Sequence, residues 1–291
     1  MAKTTTVQKK RSMVSEIWRR LRRDKLAMLG LAILVILALM AIFADVIADY
    51  DTKVITQNIS NRLQGPSLEH WCGTDEFGRD IFARLVHGSR VSLVVGLVSV
   101  TISLVLGGTL GSIAGYYGGK VDNVIMRIMD IFLAVPSILL AMTIVAALGT
   151  SLFNVMLAIG ISGIPGYARI IRASVMSIKD QEFVEASRAI GAKSPTTIFR
   201  EILPNCLAPI IVQATLSVAS AILSTASLSF IGLGVQPPDP EWGAMLSGGR
   251  NYLRDALHLT LFPGLAIVIT ILALNLLGDG LRDALDPRLK Q

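Results

Sequence analysis

Residues 180–205 read DQEFVEASRAIGAKSPTTIFREILPN, the longest charged and polar piece in the second half of the chain, set between two long uncharged runs. Spacing divides the stretch into two short helices with a break. Phe183, Val184, Ser187 and Ile190 fall on one helical face, with Glu182, Glu185 and Arg188 around the side. Gly191 stands where a helix end wants a left-handed residue, and Lys193 follows as a cation near the negative end of the helix dipole. Ser194 and Pro195 predict a restart, with a hydroxyl at the N-cap and a proline at the first helical position, where no N–H is needed. Ile198, Phe199 and Ile202 form a second apolar face that Pro204 is expected to stop. One reading is an ordinary re-entry loop at the lipid headgroups, and spacing alone leaves it open. A plain connector, however, needs only about four to six residues, fewer than two capped helices use.

The flanking runs place this hook in a membrane protein. Of the 291 residues, 52% are hydrophobic and only 16% charged, and the apolar residues come in blocks. Uncharged runs lie at 26–44, 91–119, 131–168, 202–238 and 256–278. A helix crosses the hydrocarbon with about 20 residues, so the first, second and fifth runs each fit one crossing. The third is twice too long and breaks at Gly149-Thr150-Ser151, which predicts two helices joined by a tight turn. The fourth begins with the Pro204 stop, ends in Gly-Leu-Gly-Val-Gln-Pro-Pro, and holds one. Six crossings are expected.

Charge orients them. With six crossings, the tail up to Lys25, the link 120–130, the hook region 169–201 and the tail from Asp279 share one side and carry twenty Lys and Arg. The segments 45–90 and 239–255 carry seven. The positive-inside rule makes the first side cytoplasmic, so the hook, the N-terminus and the C-terminus are expected inside. The net charge of +6 then reflects topology and lipid contact, with no nucleic acid as partner. The basic stretch RSMVSEIWRRLRRDK at 11–25 reads as an interfacial helix, because a hydrophobic span follows directly. That span has too long a basic lead and apolar core for a signal peptide, and reads as an uncleaved first helix. Cys72 falls outside and Cys206 at the cytoplasmic edge, so they give no disulfide framework.

Glu185-Ala186-Ser187, three residues, Gly191, then Leu203-Pro204 resembles the EAA loop of ABC importer permeases. Two positions depart from that pattern: Ser187 replaces the second alanine, and Glu201 stands where isoleucine is usual, with Ile202 beside it. The resemblance implies a cytoplasmic coupling element that docks into a groove of an ATPase subunit, with Glu185, Ala186, Ser187, Gly191 and Ala192 at the contact. Before the second span, Gly73, Thr74, Asp75, Gly78, Arg79 and Asp80 match the G-T-D-x-x-G-R-D signature of permeases of the dipeptide, oligopeptide and nickel importer family. The first span, the hook and the ending Asn275-Leu276-Leu277-Gly278-Asp279-Gly280-Leu281-Arg282-Asp283 are similar to that family's C-type subunit, so the resemblance covers nearly the whole chain.

The signature loop has a second reading, a metal site from His70, Cys72, Asp75 and Glu76. Mixed hard and soft ligands crowded into seven residues fit no standard geometry, and a turn-rich loop with Arg79 paired to carboxylates is favoured; no metal site is expected. Gly107, Gly108, Gly111 and Gly115 recur every three or four residues and predict close helix packing in lipid. Pro136 and Pro165 are expected to kink their helices. The segment 237–258, PPDPEWGAMLSGGRNYLRDALH, has a helical middle and is expected at the outer surface, near the pathway mouth.

No catalytic residue is expected. Gly118-Gly119-Lys120 is the only Gly-Lys step, but Ala114 stands where a phosphate loop needs glycine, and Val121 follows in place of Ser or Thr. The uncharged runs hold no Asp, Glu, Lys or Arg, which argues against a self-sufficient secondary carrier or channel. A membrane enzyme needs a catalytic cluster, and none is recognisable. The uncharged runs predict an all-α membrane protein of six transmembrane helices, and the resemblance implies the type I ABC importer permease fold with a cytoplasmic coupling hook. Its parts are 1–86 (basic tail, first helix, external loop), 87–280 (five-helix permease core) and 281–291 (cytoplasmic tail). The resemblance implies a multi-pass protein of the bacterial cell membrane with no cofactor of its own, ATP and magnesium being held by partner subunits. It implies four kinds of partner: a second homologous permease, two ABC ATPase subunits, an extracellular or periplasmic substrate-binding protein, and membrane lipid. It implies di- or oligopeptide cargo, with nickel or glutathione as the alternative.

Overall fold

The computed structural model describes residues 13–285, and the outermost basic residues of both tails lie outside the described part. The short helix α1 (Met13–Leu21) leads into α2 (Lys25–Ile42), which Asp24 caps by accepting from the Leu26 and Ala27 N–H groups at 2.9 and 3.1 Å. The long helices α3 (Ile81–Tyr117), α6 (Leu152–Ile178), α8 (Leu207–Phe230) and α10 (His258–Leu285) follow, separated by α4 (Gly119–Leu133), α5 (Ser137–Leu148), α7 (Glu182–Ala189) and α9 (Trp242–Gly249). Among the described residues five helices are long and apolar enough to cross a membrane. The pair α4 and α5, bent by 85° at the break holding Pro136, makes a sixth crossing when counted as one span. At twelve residues α5 alone is about 18 Å long, short of the roughly 30 Å hydrocarbon layer. The expected turn after α5 is present: Gly149 has φ +92, and the Ser151 hydroxyl accepts from the Asn154 N–H. Pro165 lies inside α6, which continues through it.

Two helices outrun the uncharged stretches that announced them. The second span was read from residue 91 but begins at Ile81, and α6 passes the expected end at Ala168 by ten residues. The cause is the same in both: the charges in the extra turns are paired, so they cost the helix little. Arg84 donates to the Val54 carbonyl at 2.9 Å and lies 3.6 Å from the Asp75 carboxylate. His87 Nε2 meets the Ala48 carbonyl at 2.8 Å, and Arg90 bonds to the Ala41 carbonyl and to Asp45, each at 3.0 Å. On α6, Arg169 and Arg172 pair with Asp130 and Asp122 of α4, at 2.9 and 2.6 Å, holding α4 against α6.

Packing follows the small residues. A Cβ on Gly107 or Gly115 of α3 would meet the Ile164 or Arg172 carbonyl of α6 at 2.5 or 2.8 Å, and one on Gly111 would collide with Ala168. The two backbones therefore touch at three points over about two turns, as the glycine spacing predicts. Gly30 of α2 lies as closely against the Ala273 carbonyl of α10. Helix α9 is capped by Glu241, whose carboxylate accepts from the Gly243 and Ala244 N–H groups at 2.9 Å, and its fully buried Trp242 donates to the Leu85 carbonyl of α3.

The signature loop is a folded plug that starts α3. Gly73 and Gly78 have φ +78 and +73, and a Cβ on either would strike Gln64 or Asn58. The Thr74 hydroxyl donates to the Asn61 carbonyl, and Asp80 caps α3 through Ala83 N–H while holding His70 Nδ1 at 2.8 Å. Asp75 accepts from the Phe77 and Arg79 N–H groups at 2.9 Å and from Arg79 Nε at 2.7 Å. These carboxylates and His70 are thus engaged with protein partners, and among the described residues no group of three or more His, Cys, Asp or Glu is placed to hold a metal. Asp75, Arg79 and Arg84 are all buried, so removing the Asp75 carboxylate takes the close ion-pair partner from both guanidinium groups. Asp75→Ala is expected to destabilise the chain by about 3–5 kcal/mol. Thermal unfolding of the detergent-solubilised full chain should show the loss, and an unchanged midpoint would contradict the role given to Asp75.

Candidate functional site: the hook and the groove

The hook folds as a capped corner. At the end of α7, Gly191 has φ +86, the Ala192 N–H bonds back to the Ser187 carbonyl at 3.1 Å, and the Gly191 N–H to that of Arg188 at 3.0 Å. These two bonds close a helix end through a left-handed glycine. Nothing in the chain lies within 4 Å of a Cβ built on Gly191, so its positive φ alone demands glycine from within the chain. The restart comes one residue earlier than its sequence signal: Lys193 is the cap residue, Ser194 is the first helical residue and Pro195 the second. Lys193 serves because its carbonyl accepts from the Thr197 N–H at 3.1 Å.

Pro204 does not stop the second helix. The run Ser194–Thr196 widens over Thr197–Ile202, where the Leu203 N–H bonds to the Ile198 carbonyl five residues back, and continues through Leu203–Asn205 into Cys206 and α8. A widened turn absorbs a missing donor without ending the helix.

The apolar faces also sort differently. Val184, Ile198 and Ile202 are buried against the spans, whereas Phe183, Ile190 and Phe199 are exposed, Ile190 at 86%. Val184 and Ser187 are buried on the underside of α7, and Phe183 and Ile190, about one turn before and after Ser187, are left exposed at its margins. Glu185, Ala186 and Gly191 are exposed with them, Ala192 is half-buried and Ser187 is buried. The two departures from the EAA pattern meet each other: the Ser187 hydroxyl donates to the Glu201 carboxylate at 2.7 Å, bolting α7 to the second helix. Arg188 stacks over Tyr116 at the end of α3, 4.9 Å from the ring centre. The hook is thus fixed underneath and presents three apolar side chains and Glu185 outward. That arrangement has no reactive group and suits docking.

A second feature escaped the sequence reading. Between α3, α5, α6 and α8 lies an open groove of about 290 Å³, where hydroxyls and the Gln213 amide stand among the apolar side chains of Val100, Leu133, Ile159 and Ala221. Its signal was available: Gln213, Ser217, Ser220, Ser224 and Ser227 recur every three or four residues, a polar stripe along an uncharged helix. The search for ionisable groups passed over it because none of these is charged.

The described site can now be set beside known proteins. Residues 107–291 match the family described as binding-protein-dependent transport system inner membrane component. Residues 12–66 match the N-terminal TM domain of oligopeptide transport permease C. The dipeptide transport system permease protein DppC of Alkalihalophilus pseudofirmus is 53% identical over 275 residues, covering 94% of this chain and 90% of that protein. The di/tripeptide transport system permease protein DppC of Pseudomonas aeruginosa is 47% identical, covering 96% and 93%. The glutathione transport system permease protein GsiD of Escherichia coli O157:H7 is 48% identical, covering 94% and 90%. In fold, the chain is similar to a chain of the MetNI methionine ABC transporter in inward-facing conformations, with a TM-score of 0.57 over 70% of this chain and 96% of that one, at 21% identity. By these matches the chain belongs to the binding-protein-dependent inner-membrane permeases of ABC importers, in the C-type branch, and is a non-catalytic, multi-pass transport subunit.

Proposed function

We propose that this chain forms half of a translocation pathway for di- or oligopeptides and couples it, through the hook, to ATPase subunits. The observation that carries the coupling role is the outward trio Phe183, Ile190 and Phe199 on a corner bolted to the spans by Val184, Ile202 and the Ser187–Glu201 bond. An apolar patch rimmed by charge marks a protein contact. Glu185, Ala186, Gly191 and Ala192 lie at that contact, and Ser187 positions it from beneath. The signature residues Gly73, Thr74, Asp75, Gly78, Arg79 and Asp80 act as the plug that starts α3 within the external part of residues 1–86. Residues 87–280 make the core. A second homologous permease completes the pathway, two ATPases hold ATP and magnesium, and an external binding protein delivers cargo. ATPase closure moves the hook, and the hook tilts α6 and α8 so that the groove opens outward and then inward. Peptide cargo rests on the dipeptide and di/tripeptide relatives; the GsiD relatives keep glutathione, itself a tripeptide, as the second reading. Labelled di- and oligopeptides, with glutathione as competitor, in cells lacking the chain test the cargo.

The coupling role requires the hook inside. Burial pushes the Cys72 thiol up to about 11, with the nearby Asp80 charge adding to it, and burial pushes Cys206 likewise to about 11. Both native thiols therefore carry less thiolate at neutral pH than an exposed cysteine, so an added exposed cysteine labels faster. An impermeant reagent on intact cells is expected to modify Asn58→Cys and spare Lys193→Cys, both exposed positions. The reverse pattern sinks the orientation and the coupling role with it.

Gly191 is expected to be less replaceable than Glu185. Positive φ costs a residue with a side chain about 1–2 kcal/mol, and a branched one also stands in the docking face. Gly191→Val should reach the membrane at normal level, abolish uptake and release the ATPases on mild extraction, whereas Glu185→Gln should weaken uptake only in part. Normal transport by Gly191→Val with its ATPases bound would show the hook to be an ordinary loop.

A further inference from the structure

We propose that the groove between α6 and α8 is a charge-free hydrogen-bonding station for peptide backbone amides, built from Tyr167, Gln213, Ser217, Ser224 and Ser137. The inference rests on the peptide reading above and names the residues that handle the cargo.

The serines in and around the groove fall into two kinds. Ser99 and Ser103 of α3 donate across to the Met156 and Gly160 carbonyls of α6 at 3.1 and 2.6 Å, so they fasten two helices and are closed to a ligand. Ser162 and Ser220 bond to their own helix at Ile159 and Leu216. Ser137 and Ser224 line the groove and make no hydrogen bond among the described residues. Ser217 accepts from Gln213 Nε2 at 3.1 Å, which leaves its own O–H and the Gln213 carbonyl oxygen available. A polar stripe alone would be a packing or solubility feature. Tyr167 is the independent observation. It is only 3% exposed, it lines the groove, and its hydroxyl has no hydrogen-bond partner, with Ser217 beside it but outside bonding geometry. A buried hydroxyl left unpaired is costly, so a ligand that supplies the missing hydrogen bond gains from it.

The chemistry indicates the ligand class. Hydroxyls and a carboxamide both donate and accept, which matches the alternating N–H and C=O of a peptide backbone. The groove offers no imidazole, thiol or carboxylate, the groups that ligate nickel. A fixed charge in the groove would attract one class of side chain and repel the like-charged class. An importer of peptides with varied side chains is served by a wall that reads only the backbone. About 290 Å³, open on one side, is half of such a station, the other half falling to the partner permease.

The test uses the whole importer in cells and compares uptake of Ala-Glu with Ala-Lys. Ser224→Glu should lower the Ala-Glu to Ala-Lys ratio by about tenfold relative to the unaltered importer, and Ser224→Lys should raise it by a similar factor. The ratio is independent of how much transporter reaches the membrane. Ser224→Cys, modified after assembly with a negatively or positively charged thiosulfonate, repeats the comparison without asking a charged variant to insert. Tyr167→Phe, which removes only the unpartnered oxygen, should lower uptake of both peptides alike by at least about threefold. Ratios unmoved by charge at position 224 overturn the station, as does full uptake by Tyr167→Phe. An unaltered importer that takes up neither peptide overturns the peptide reading itself, a different result from indifferent variants.

Discussion

Everything functional in this chain is hung on one seam, the backbone contact between α3 and α6. Lipid tails are as apolar as leucine, so no hydrophobic effect pulls spans together, and contact distance decides which helices associate. Gly107, Gly111 and Gly115 bring α3 onto the carbonyls of Ile164, Ala168 and Arg172. Two consequences follow at the ends of that seam. At one end Tyr116 of α3 holds Arg188 of the hook, while α6 runs on to Ile178 just before α7. Midway, Tyr167 is pinned beside the groove, its Cβ 2.8 Å from where a side chain on Gly107 would begin. A small movement of α6 relative to α3 would therefore register at the hook and the groove together.

Charge is distributed to suit that mechanics. Carboxylates and guanidinium groups are paired near the helix ends: Asp75 with Arg79, Asp45 with Arg90, Asp122 with Arg172 and Asp130 with Arg169. The groove itself holds neutral polar groups among apolar side chains and no charged one. The groove lining includes no Asp, Glu, Lys, Arg or His, which fits the proposal that the drive comes from partner ATPases. On that proposal the drive enters from outside the bilayer, at a surface rigid enough to transmit force. The hook meets that need, since its underside is packed and its cap is closed by two backbone bonds.

Much of this was legible in the residues. Block hydrophobicity gives the spans, because crossing lipid demands long uncharged helices. Gly191 announces a left-handed cap, and Asp75 with Arg79 announces a turn held by an ion pair, because such local features depend on neighbours in sequence. Features settled by distant partners were not legible. The ten residues by which α3 precedes its uncharged run depend on Val54, Ala48 and Ala41, far away in sequence. That Ser187 is buried while Phe183 and Ile190 on the same helical face are exposed depends on the second hook helix, whose Glu201 meets Ser187. The bond between Ser187 and Glu201 explains two departures from a family pattern that look unrelated when taken one at a time. The continuation through Pro204 needed the widened turn before it, which no composition rule announces.

The central claim is that the outward apolar face of the hook meets an ATPase. A photo-activated cross-linking residue placed at Ile190 in the assembled importer should capture the ATPase subunit in good yield. The same residue at Thr143, exposed on α5 with its hydroxyl bonded to the Leu139 carbonyl, should capture lipid or permease but no ATPase. Equal capture at both positions, or none at Ile190 in a transport-competent complex, would contradict the account.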